Sequence, residues 1–106
     1  MAVRLFTFVC EFRGTTAISQ VMASDELEAV SVWAESLKVE KPFGRASTYL
    51  ARSAARGGTS FQPVQISGLS NVWCATGLCA GDLLLADIVE TVTPSDVRDR
   101  TIAGLN

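Results

Sequence analysis

Apolar and polar residues alternate twice near the start of the chain, in VRLFTFVCEF and again in TTAISQVMA, with Arg13-Gly14 between them. A period of two marks a strand, and a two-residue turn containing glycine joins strands into a hairpin, so the pattern predicts strands over about 3–12 and 15–22. The period then changes. In SDELEAVSVWAESL, Leu27, Val30, Trp33, Ala34 and Leu37 recur at helical spacing, which predicts a helix over 25–38 with that stripe laid on the sheet. Ser24 or Asp25 can cap it, and Asp25, Glu26 and Glu28 suit its positive first turn. Lys41-Pro42-Phe43-Gly44 stops it, because the residue before a proline disfavours the helical region. RASTYLARSAARGG predicts a shorter helix over 45–56, with Ala46, Tyr49, Leu50 and Ala54 inward and Gly57-Gly58 as its stop. SFQPVQISG reads as an edge strand, since Pro63 has no ladder donor. NVWCATGLCA and DLLLADIVETV complete a second hairpin, in which a Gly81-Asp82 turn sets Leu78 opposite Leu85, Cys74 opposite Val89 and Val72 opposite Thr91.

The expected architecture is therefore α+β: an antiparallel sheet of about four to five strands, in the order hairpin, helix, short helix, strand, hairpin, with a helix packed on one face. Residues 1–94 form one domain, and 95–106, with few large apolar groups, form a loosely attached tail. The strands raise a problem of coverage. Strand 3–12 places Phe6, Phe8, Cys10 and Phe12 on one face but Val3, Leu5 and Val9 on the other, and strand 83–92 repeats this with Leu84, Ala86, Ile88 and Val92 against Leu83, Leu85 and Val89. Helix 25–38 covers one face only. Either helix 45–56 crosses to the second face or another subunit closes it, and the expectation is a homodimer through that face.

Composition supports a folded domain without staples: of 106 residues, 48% are hydrophobic and 19% charged, with five Phe and two Trp. Nine basic against eleven acidic residues leave a net charge of −2, which provides no overall attraction to nucleic acid or to an anionic membrane. Even LLLADIVETV is broken by Asp87 and Glu90, so nothing approaches the ~18 apolar residues of a membrane span. The first residues read as a strand rather than a signal peptide, and with an odd count of three cysteines the expected setting is the reducing cytoplasm.

Candidate chemistry is sparse. There is no histidine, so neither a Ser-His-Asp nor a Cys-His arrangement can be built. Cys74 and Cys79 are separated by four residues rather than the two of a metal knuckle, and only Cys10 could join them; no metal and no cofactor are expected. Five positions apart on one strand, they point to opposite faces and cannot form a disulfide with each other. Cys10 and Cys74 read as small buried hydrophobes, while Cys79, beside its turn, is the possible reactive thiol of a thiol-dependent enzyme. Glu11, Asp87 and Glu90 are ordinary strand carboxylates by spacing, and GLCAGD lacks the lysine of a phosphate loop. Arg45, Arg52 and Arg56, seven and four residues apart, would share one helical stripe open to phosphate or carboxylate, the basis of a nucleic-acid or anionic-ligand alternative. The lack of aromatic interleaving and of a basic overall charge favours an ordinary solvated face there.

The run FTFVCEFRGTTAISQVMASDELEAVSVWAESL, followed by GLSNVWC and a closing apolar strand, resembles small uncharacterised bacterial accessory proteins, including immunity-like ones that neutralise toxins. The resemblance spans most of the chain, rests on element order, and brings no catalytic motif. It implies a non-enzymatic protein-binding role, and no catalytic residue is assigned.

Overall fold

The computed structural model describes residues 3–55 and 61–92. The first hairpin joins β1 (Arg4–Phe12) to β2 (Thr15–Ala23), with Phe12 opposite Thr15 and the turn residues Arg13 and Gly14 at φ 51° and 79°. Two successive positive φ values match the right-handed twist of the flanking strands. Helix α1 (Glu26–Glu40) follows at once. The Asp25 side chain accepts the Glu28 N–H at 2.8 Å, and Glu28 Oε1 reaches back to the Ser24 N–H at 2.6 Å, so two N–H groups at the helix entry are satisfied reciprocally. Lys41, at φ 47°, ends the helix by donating its N–H to the Leu37 carbonyl at 3.1 Å.

Helix α2 (Ala46–Ala55) starts after the Pro42-to-Gly44 turn, where Ser47, fully buried, accepts the Phe43 N–H at 2.8 Å. Strand β3 is only Val64–Gln65, immediately after Pro63; β4 (Val72–Cys79) and β5 (Asp82–Thr91) form the last hairpin. The five strands lie in the order β2-β1-β5-β4-β3, antiparallel throughout, which joins the two hairpins through the β1–β5 ladder. The α+β expectation holds. The tail 95–106, Arg56 and Gly57-Gly58 lie outside the described residues.

The second hairpin turns one residue earlier than expected. Cys79 faces Asp82, so the turn is Ala80-Gly81, and the ladder pairs Leu78 with Leu83, Cys74 with Asp87 and Val72 with Val89. Ala80 and Gly81 sit at φ 53° and 85°, repeating the geometry of the first turn, and Asp82 is thereby freed to accept Arg13 Nε at 2.6 Å. The slip is two places in register. Every side chain therefore keeps its expected face.

Both helices pack on the same side of the sheet. Trp33 of α1 stacks on Phe8 at 5.0 Å between ring centroids and on Phe61 at 5.7 Å, while Phe6 meets Trp73 at 5.9 Å. Leu50, Ala51 and Ala54 of α2 belong to this same core, together with Val30, Leu37, Leu84 and Ile88. Helix α2 thus does not cross to the second face. Two residues placed inward by their spacing point out instead: Leu27 is 58% exposed and Tyr49 54%. The buried side of α2 runs through Ser47, Leu50, Ala51 and Ala54, and Tyr49 lies opposite it; Leu27 sits in the first turn at the margin of the α1 arc, one turn before the exposed Ser31. Val92, expected beside Ile88, falls just beyond β5 and is exposed.

Candidate functional site: the open face of the sheet

Side chains alternate across each strand, so the registers define the face that the helices leave bare. It carries Thr16, Ile18, Gln20 and Met22 from β2, and Leu5, Thr7, Val9 and Glu11 from β1. β5 adds Leu83, Leu85, Asp87, Val89 and Thr91, β4 adds Val72, Cys74, Thr76 and Leu78, and β3 adds Val64. Ile18, Leu78 and Leu83 are 69%, 74% and 56% exposed, and Met22 and Val64 are exposed as well. Isolated exposed apolar residues are ordinary, but a contiguous field of them across five strands is not.

The polar groups on this face are organised. Gln20 Nε2 donates to Thr7 Oγ1 at 3.0 Å, the Thr7 and Thr91 hydroxyls are 2.5 Å apart, and Thr91 Oγ1 donates to the Val89 carbonyl at 3.0 Å. This chain crosses β2, β1 and β5 and satisfies itself. The carboxylates are different. Asp87 is at the middle of β5, the central strand, flanked by Val9 and Cys74, and Glu11 is its diagonal neighbour on β1. None of the residues at these face positions is Lys or Arg. Glu90 turns to the other side, where it binds Arg4 at 2.9 Å, and Arg13 is held by Asp82 and lies over the Phe12 ring. Asp87 and Glu11 thus form an acidic centre in an apolar field with no ion-pair partner among the described residues.

The thiols distribute differently from expectation. Cys79 beside the turn is buried, 3% exposed, because it faces the helices: its Sγ lies 3.7 Å from Ser53 Oγ, at a cavity of about 30 Å3 closed by Phe61, Leu84 and Ala54. Cys74 is the half-buried one, on the open face. Partial burial and the neighbouring Asp87 carboxylate, which accepts the thiol's hydrogen bond, both push its pKa up. Burial, and then the Glu11 charge, raise Cys10 from 9.0 to about 12. Both shifts disfavour the thiolate, the opposite of what a nucleophile requires. All three thiols are free, and Cys74 and Cys79 face opposite sides of the sheet.

The arginine stripe is only partly visible. Arg52 is exposed on α2, Arg45 is exposed in the turn before it, and Arg56 lies outside the described residues. Tyr49, three residues before Arg52, shares that outer side, an aromatic that helical spacing alone had placed inward. No cluster of His, Cys, Asp or Glu capable of holding a metal ion exists among the described residues, and none of their helices is long and apolar enough to cross a membrane.

Sequence reasoning identified the second face but missed its centre. Asp87 reads as an ordinary strand carboxylate until β1 and β5 are paired, because only that pairing brings Glu11 diagonal to it and makes β5 the middle strand. No family model, curated protein or solved structure matches the chain.

Proposed function

We propose that this chain is a non-enzymatic protein-binding domain whose open sheet face takes a partner surface that is apolar and presents a lysine or arginine to Asp87 and Glu11. One observation carries the reading: an acidic pair with no cation beside it among the described residues, within an exposed apolar field. An apolar surround excludes water from a docked ion pair and strengthens it, and it makes a partner lacking the cation costly to bind, since the carboxylates would be desolvated without compensation. The reading agrees with the accessory, immunity-like role that the sequence resemblance implies, in which a small domain acts by occupying another protein.

A second copy docked face to face fits this surface poorly. In a symmetric interface between two flat patches the two-fold axis lies in the interface plane, so any arrangement that covers the whole field sets its centre against its own mate. Asp87 would then meet Asp87, with Glu11 beside each, and four carboxylates would share a buried space without a cation. The face-to-face dimer expected from strand patterning is therefore replaced here by a partner of opposite charge.

The test is site-specific photo-cross-linking in the native host, with a benzophenone side chain at Leu83 on the open face and, separately, at the exposed Val39 of α1. The expected result is a protein cross-linked from position 83, through a segment containing Lys or Arg, and lost in Asp87→Lys while the variant keeps its native circular dichroism. Cross-links from position 39 alone, or a cross-link at 83 that survives Asp87→Lys unchanged, would refute the reading.

A further inference from the structure

The two edges of the sheet are built differently. β3 is two residues long and follows Pro63, so it presents almost nothing to a further strand. β2 runs for nine residues, TTAISQVMA, with no charge, no proline and no bulge in its register with β1. Natural sheets protect a long edge with such devices because its unpaired N–H and C=O groups invite another strand. Here they are missing.

The turn geometry says which groups are unpaired. Phe12 and Thr15 close a two-residue turn and form a hydrogen-bonded pair, and such pairs alternate along an antiparallel ladder. Thr15, Ala17, Ser19, Val21 and Ala23 therefore direct their backbone groups to β1. Thr16, Ile18, Gln20 and Met22 direct theirs outward, and among the described residues no backbone hydrogen bond reaches them from another element.

We propose that two copies of this chain join edge to edge through β2, antiparallel about a two-fold axis at Ser19, giving one continuous ten-stranded sheet. The strand is self-complementary in that register. Thr16 pairs with Met22 and Ile18 with Gln20, so each outward N–H and C=O on one copy meets one on the other; Ala17 meets Val21, the two Ser19 side chains face each other, and no charge opposes a charge. Because the axis is perpendicular to the sheet, both helical layers lie on one side and both open faces on the other. This doubles the face assigned above to a partner, without using it.

Light scattering and amide hydrogen exchange test the proposal. The wild-type chain should weigh twice the 11.3 kDa of a monomer, and the outward amides of Ile18 and Gln20 should be protected alongside the inward amides of Ala17 and Ser19. Gln20→Pro removes one outward donor that β1 does not use, so it should give a folded 11.3 kDa monomer in which the amides of Thr16, Ile18 and Met22 exchange freely. Ser19→Lys, which sets two like charges at the axis, should do the same if the proline variant fails to fold. Asp87→Lys should leave the dimer intact while removing partner cross-linking from position 83. A wild-type monomer at every concentration, fast exchange at Ile18 and Gln20, or a dimer kept in both Gln20→Pro and Ser19→Lys would each overturn edge pairing; none of these bears on whether the open face binds a cationic partner.

Discussion

Truncating Trp33 to alanine tests the packing most directly, because its ring lies between Phe8 on β1 and Phe61 on the segment after α2, and it is 1% exposed. Removing a buried Trp costs about 3–5 kcal/mol. The two stacked contacts, each worth about 0.5–1.5 kcal/mol beyond area burial, place this case near the upper end. A domain of this size has about 5–15 kcal/mol of total stability. At about 4–8 °C per kcal/mol the thermal midpoint should fall on the order of 20–40 °C, enough to leave part of the chain unfolded at room temperature if the domain is of ordinary stability. Trp33→Phe keeps a ring between the other two and should lose less. The internal control is Leu27→Ala on the same helix: spacing alone puts Leu27 in the buried stripe, but its exposure limits the loss to about 0.5 kcal/mol. Melting followed by circular dichroism at 222 nm decides the matter. Equal losses for the two alanine variants, or no loss for Trp33→Ala, would mean that α1 does not dock on β1 through this face.

Two further outcomes follow from the strands. Cys10 holds its proton to about pH 12 in the folded chain, raised by burial and then by Glu11, whereas the unfolded thiol titrates near 9.0; above pH 9 the unfolded state binds fewer protons, so stability should fall from there towards pH 12. In urea titrations across that range Cys10→Ala should show a shallower decline, and parallel curves for the two proteins would contradict the assignment. Ala80 occupies the left-handed region at φ 53°, a conformation that costs an ordinary L residue about 1 kcal/mol, so Ala80→Asn, which creates an Asn-Gly turn, should raise stability by up to that amount. A loss on chemical denaturation would instead support a turn centred on Gly81-Asp82.

Much of this structure was legible because it is local. The switch from a period of two to helical spacing at Ser24-Asp25 placed both the hairpin and α1, and Asp25 caps as its side chain allows. The two faces of β1 and β5 were readable for the same reason: alternation assigns faces whatever the partner strand is, which is why the second hairpin's two-place slip moved no side chain to the wrong side. The slip itself was not readable, since Gly81 serves as well in the first as in the second position of a two-residue turn, and only the ladder decides between them. Tyr49 failed for a related reason: spacing shows that α2 has an apolar arc but not which part of it the sheet and α1 will cover, and the covered part includes the small Ser47 and Ala51. What the tertiary structure alone decided is the junction between residues far apart in the chain. Pairing β1 with β5 makes Asp87 central, sets Glu11 beside it, leaves β2 as an unprotected edge, and puts both helices on one side so that the other stays bare. Local patterning states that a surface wants burial; which surfaces are joined, and which are left for a partner, depends on long-range pairings whose loop-closure cost is met only by the whole core forming at once.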